Sequence, residues 1–221
     1  MNMKQKFLAG AVAASAMASA ALAPVAHAEV SASVGAANMY YWRGLDLGNG
    51  DPAVWGDINV SSNGFYAGMW ASSGDATAGT EYDLYAGYGT DIEGFTIDVS
   101  LWSYSYPSTV DENGVYSPTS PGDLVEAVIG LGYGPFSLTH YTDVEGNEDY
   151  SYTTVGAGFG DFSVTYGMHD GSGSFDGYSH LDLGYAYNEN LSFTLGLVTD
   201  DVDGLNKDEP KFVVGFSIPI E

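Results

Sequence analysis

Asp57, Glu81, Asp83, Asp98, Glu126 and Asp182 stand at alternating positions in runs of apolar and small residues, with His180 just before Asp182 and Arg43 upstream of them all. Carboxylates brought to one face at such spacing make either a cation-attracting ring or one side of an ion-pair network. Arg43 is the natural counter-charge, because its planar fork can hold two carboxylates at once. Two arrangements follow. One is a charged constriction that passes ions and prefers cations; the other is a salt-bridged plug that closes and stiffens the interior. The sequence leaves both open.

Catalytic and metal chemistry find less support. The histidines are His27, His140, His169 and His180, and no Gly-x-Ser-x-Gly elbow surrounds a serine. His180 and Asp182 share a face, but Ser179 falls on the other, and His169 at a strand end reads as a surface residue. The expectation is a protein that is not an enzyme and has no catalytic residue. Acid clusters at Asp111-Glu112-Asn113-Gly114, from Asp143 through Asp149, and at Asp200-Asp201-Val202-Asp203-Gly204. Calcium takes hard oxygens from such loops, but none has the spaced ligands and closing Glu of an EF-hand. No cofactor and no metal are expected, with Ca²⁺ at these loops a lesser alternative.

The elements that must position these groups are strands. Period-2 patterning runs from residue 30 to the C-terminus, clearest in Phe95-Thr-Ile-Asp-Val-Ser-Leu101, where Phe95, Ile97, Val99 and Leu101 share one face. Twelve segments fit, near 30–43, 53–62, 64–73, 80–90, 95–106, 124–133, 136–143, 149–159, 162–170, 178–188, 191–199 and 211–220. The connections alternate in length. Short Asn-, Asp-, Gly- and Pro-containing turns follow the even segments, and longer stretches follow the odd ones, above all 107–123 and 200–210. Bacterial membrane barrels sort their loops this way: tight periplasmic turns, longer outside loops, an even strand number. A soluble sandwich has no reason to. The predicted fold is all-β: a closed, antiparallel, up-and-down transmembrane β-barrel of about 12 strands, each long enough to cross a bilayer at a tilt.

The ends and the composition agree with that reading. Lys4 and Lys6, the apolar stretch Phe7 to Ala23, and Ala26-His27-Ala28 form a secretory leader with a cleavage site, so 1–28 is expected to be removed and 29–221 to be one barrel domain. The chain carries 29 acidic and five basic residues, a formal net charge of −24; removing Lys4 and Lys6 lowers it by two, to −26. Such a chain repels nucleic acid and attracts cations. Cysteine is absent and 17 tyrosines are present, which suits a wall with aromatic ends and not an acidic disordered chain. Tyr40, Trp42, Tyr104 and Tyr106 at one end, and Tyr133 and Phe136 at the other, are expected at the two membrane interfaces.

Parity assigns the facings. Val54, Ile58 and Val60 outward put Asp57 inward; Leu84 and Tyr88 outward put Glu81 and Asp83 inward; the same step turns Asp98, Glu126, His180 and Asp182 into the lumen. Arg43 is placed at the end of the first segment, facing in, with Glu81, Asp83 and Glu126 around it.

One motif set is more specific than pattern. Tyr40-Tyr41-Trp42-Arg43-Gly44, Asp51-Pro52-Ala53, Gly64-Phe65-Tyr66-Ala67-Gly68-Met69-Trp70-Ala71-Ser72, Glu81-Tyr82-Asp83-Leu84-Tyr85-Ala86-Gly87-Tyr88 and Tyr104-Ser105-Tyr106-Pro107 follow one another in order. Over residues 30–135 this resembles the TorF porin family of Gram-negative bacteria, also called the Gcw_chp family. The C-terminus departs from the usual outer-membrane pattern by ending in Ile220-Glu221 and not in an aromatic residue. The resemblance implies an outer-membrane protein, exported through the periplasm, acting as a porin-like channel for passive diffusion of small solutes or ions. The acidic interior adds a cation preference, with membrane lipid and small solutes or cations as partners. A sealed structural or adhesive barrel with acidic outer loops is the alternative, and an outer-membrane lipid hydrolase a lesser one.

Overall fold

The computed structural model describes residues 28–110, 114–146, 149–171, 175–201 and 209–220. All but the last residue of the expected leader, and the acidic stretches 111–113, 147–148 and 202–208, lie outside the described residues. Among the described residues there are fourteen strands: β1 (Glu29–Ala37), β2 (Tyr41–Trp42), β3 (Leu45–Asp46), β4 (Ala53–Ser62), β5 (Phe65–Asp75), β6 (Gly79–Ile92), β7 (Phe95–Ser105), β8 (Val125–Tyr133), β9 (Phe136–Glu145), β10 (Ser151–Phe159), β11 (Phe162–Asp170), β12 (Ser179–Ala186), β13 (Leu191–Asp200) and β14 (Lys211–Ile220).

Twelve of them close into an antiparallel barrel in which each strand pairs with its sequence neighbours and β1 meets β14, from Ala32 opposite Ile220 to Ala37 opposite Gly215. Closure leaves no unpaired edge, which a strand wall in lipid requires. The remaining two, β2 and β3, form a separate hairpin. The tight turns are built as the sequence suggests. Asn63-Gly64 and Glu93-Gly94 both take positive φ at two successive positions, which matches the right-handed twist of the strands they join. The connections at the other end are mostly longer, above all between β7 and β8, although residues 76–78 alone join β5 to β6.

The wall is inverted relative to a soluble core. Its outward rows are apolar and exposed: Val54, Ile58 and Val60 on β4, Ile97, Val99 and Leu101 on β7, Ile129 and Leu131 on β8, Phe212 and Phe216 on β14. Near the tight-turn rim Phe95 stacks on Tyr133 across strands, with ring centres 4.3 Å apart, and Phe65 meets Tyr88 at a tilt, with ring centres 4.8 Å apart. Exposed apolar wall and polar interior together fit a membrane barrel. The inward rows at the tight-turn half are small and polar. Thr96 and Ser137 are exposed there, and Ser33, Ser61, Ser163 and Ser192 are half-buried.

The first expected strand is corrected. It was placed over 30–43, but β1 ends at Ala37. Asn38 ends the pairing by acting as a strand residue with its side chain: its Nδ2 donates to the Phe212 carbonyl at 2.9 Å and its Oδ1 accepts from the Val214 N–H at 2.6 Å. The chain then leaves the wall and turns into the barrel.

Candidate functional site

The inward-folded segment is the β2–β3 hairpin. Tyr41 pairs with Asp46 and Trp42 with Leu45, leaving Arg43 and Gly44 as its two-residue turn. Their φ values are +46° and +89°. Glycine adopts this conformation freely; for arginine it costs about 1–3 kcal/mol and persists only where surrounding contacts over-determine it. Here they do. The Arg43 carbonyl accepts from His169 Nε2 at 2.9 Å, and its guanidinium is fixed at its far end.

That far end is the centre of the site. Arg43 Nη1 and Nη2 donate to Oε1 and Oε2 of Glu126 on β8 at 2.7 and 2.6 Å, a two-pronged pair with both side chains almost wholly buried. Nη1 also donates to the Tyr150 hydroxyl at 3.2 Å. The guanidinium carbon sits 4.6 Å from the Trp42 ring centre, 4.4 Å from Tyr141 and 4.9 Å from Tyr152, so the charge is held among π-faces as well as by a carboxylate. Tyr104 donates a third hydrogen bond to Glu126, at 2.6 Å. Among the described residues, Arg43 Nε has no hydrogen-bond partner.

The hairpin is tied to the far wall at further points. Tyr41 donates to Asp182 Oδ1 on β12 at 2.6 Å, and Tyr178 donates to the Gly44 carbonyl at 2.8 Å. His180 bridges Asp182 through Nδ1 at 3.1 Å and the Tyr152 hydroxyl through Nε2 at 2.8 Å. On the near side, Tyr40 donates to Glu81 Oε2, and Tyr106 to Glu81 Oε1 at 2.8 Å. Burial, reinforced by the Glu81 charge, pushes the Tyr40 and Tyr106 phenols well above their ordinary range, so both remain donors. Burial likewise pushes Tyr150 up to about 12. A segment that leaves the wall between β1 and β4 is therefore anchored to β8, β11 and β12, three to four strands around the barrel from where it leaves. It crosses the lumen.

The eight expected lumen residues fall into three groups. Arg43, Glu126, His180 and Asp182 meet around the hairpin. Glu81 joins the hairpin base, and Asp83 beside it is buried with an Oδ1 that has no hydrogen-bond partner among the described residues. Asp57 and Asp98 lie further toward the tight turns, each half-buried. Tyr85 donates to Asp57 at 2.8 Å, and Tyr66 to both Asp98 oxygens at 2.8 and 3.0 Å. Two expectations about Arg43 are corrected. It stands at a hairpin tip and not on a wall strand, and its fork holds one carboxylate, not two.

Sequence reasoning also misplaced several rings. Tyr40, Tyr104 and Tyr106 were expected at a membrane interface, yet their hydroxyls donate to Glu81 and Glu126 inside the barrel. His169, read as a surface residue, is buried and holds the turn. Tyr141, Tyr150 and Tyr152 were not singled out at all. The signal that could have found the hairpin is a second pair of turn residues: Asn49-Gly50 closely follows Arg43-Gly44, and a plain outer loop needs only one reversal.

The family model described as "Bacterial protein of unknown function (Gcw_chp)" matches residues 21–205. No curated protein sequence matches. Among solved structures, the chain is similar to outer membrane phospholipase A from Escherichia coli, at 10% identity and a TM-score of 0.45, covering 86% of this chain and 96% of that one. It is also similar to the Salmonella typhi outer membrane phospholipase dimer with bound calcium, at 9% identity and a TM-score of 0.42, covering 86% and 90%. The expectation of a non-enzyme is corrected here, because those neighbours are enzymes. At this identity the likeness is one of fold and assigns no activity.

Proposed function

The chain belongs to the Gcw_chp family of bacterial proteins, and we propose that it is an outer-membrane channel for small solutes and ions, closed in this conformation by the Arg43 hairpin. The long-loop end faces the exterior and the tight turns face the periplasm, as in bacterial barrels generally.

The observation that carries this reading is the form of the closure. A solid barrel fills its interior with side chains from every strand. Here a single short hairpin crosses the lumen at the long-loop half, while the opposite half is lined by small polar side chains, with Thr96 and Ser137 exposed and Ser163 and Ser192 half-buried. The wall is closed by its own ladder without the hairpin, so the hairpin can move without unzipping a strand. The lock is a handful of side-chain bonds centred on Arg43 and Glu126. Asp57 and Asp98 stand half-buried along the path, and the chain as a whole is strongly acidic, which favours cations.

Reversal potentials in planar bilayers under a potassium chloride gradient test the selectivity, using an Arg43→Ala variant to release the lock. Cation-selective current is expected. Anion-selective current, or a sealed barrel in both the variant and the unaltered protein, overturns the reading.

A further inference from the structure

Beside the Arg43–Glu126 pair, on the long-loop side, lies a cavity of about 140 Å³ walled by the rings of Trp42, Tyr104, Tyr106, Tyr150 and Phe175. Leu124, with Glu126 and Asp143 opposite one another on β8 and β9, completes it. We propose that this cavity is a binding site for a small organic ammonium ion.

The lining is that of an aromatic cage. Phe175 meets Trp42 and Tyr150 edge to face, each with ring centres 6.3 Å apart, so the three rings form a corner and not a flat stack. Electron-rich ring faces attract cations that shed water easily, and quaternary ammonium groups are the usual guests of such cages. The protein already shows that this lining accepts a cation. The guanidinium carbon of Arg43 lies 4.6 Å from the centre of the Trp42 ring and 5.8 Å from that of Tyr150, two of the rings that line the cavity.

The lining brings two carboxylates to one wall: Glu126, which Arg43 pairs with, and Asp143 opposite it. A bare metal ion fits less well. Calcium takes six to eight oxygens, this lining is mostly ring carbon, and no metal-holding group of three His, Cys, Asp or Glu occurs among the described residues. A cavity of about 140 Å³ is close in size to the ~150 Å³ that holds a benzene ring, so it has room for tetramethylammonium.

The site is independent of whether the barrel conducts, and its test uses no current. The refolded protein in detergent micelles is titrated with tetramethylammonium chloride, followed by calorimetry and tryptophan fluorescence. Sodium chloride at matched ionic strength is the reference, and an electrophoretic shift on heating shows that each variant is folded. Saturable binding of tetramethylammonium but not sodium is expected, weakened about tenfold by Phe175→Ala and by Asp143→Asn. No saturable binding, an equal response to sodium, or unchanged binding in both folded variants overturns the proposal. A silent barrel that binds tetramethylammonium leaves it standing. A conducting barrel that does not bind it removes this proposal alone.

Discussion

Arg43 and Glu126 are 83 residues apart in sequence, yet they meet through two parallel hydrogen bonds of 2.7 and 2.6 Å inside the barrel. Both side chains are withdrawn from water. A buried pair of this kind adds little over an apolar replacement of the same shape, but breaking it strands a charge.

The first prediction follows from that asymmetry. Arg43→Ala alone, or Glu126→Ala alone, destabilises the folded protein by about 3–5 kcal/mol. Replacing both by apolar residues of similar volume, Arg43→Met with Glu126→Leu, recovers most of the loss. Urea unfolding of the refolded protein in micelles measures both, and additive losses in the double variant would contradict the pairing.

Gly44 supplies the second. Its φ is +89°, and an added Cβ would lie 2.5 Å from the His180 ring. Gly44→Ala is therefore expected to unseat the hairpin from β12 while the wall stays closed. Gly50 makes the control, since it has φ +86° but nothing within 4 Å of its would-be Cβ. Gly50→Ala should cost only about 1 kcal/mol of backbone strain. Limited proteolysis between Asn38 and Pro52 reads the difference: faster cleavage in the first variant, little change in the second.

Tyrosine titration gives the third. Tyr40, Tyr106 and Tyr150 are all raised by burial, Tyr150 to about 12. A group whose folded pKa lies above its unfolded value contributes stability below the unfolded pKa, near pH ~10 for tyrosine. That contribution is lost as the pH rises through the folded values. Part of the absorbance change at alkaline pH should therefore lag behind that of the urea-unfolded chain, and stability should fall above pH ~10. Superimposable folded and unfolded titrations would argue against a buried hairpin base.

Much of the barrel was legible because its physics is local. A strand with one face in lipid and one in the lumen must alternate, as Phe95 through Leu101 does, and a two-residue hairpin needs Asn63-Gly64 or its like. Asp57, Glu81, Asp83, Asp98, Glu126 and Asp182 could be assigned to a face by parity alone. The hairpin was not legible for the same reason. Tyr40 through Arg43 continues the alternation of β1, and nothing in that pattern marks where Asn38 takes the chain off the wall. The partners of Arg43 come from β8, β9 and β10, and the His169 that holds its carbonyl from β11, so only closure of the barrel brings them together. The rings were misread because an interior tyrosine with a carboxylate partner and an interfacial tyrosine have the same sequence signature.

Single-channel recording of the unaltered protein beside Arg43→Ala tests the central claim most directly. The account predicts long closures with brief, cation-selective openings in the unaltered barrel, and long-lived openings of the same selectivity once Arg43 no longer holds Glu126. Equal open probability in the two proteins, or no current from either, would contradict it.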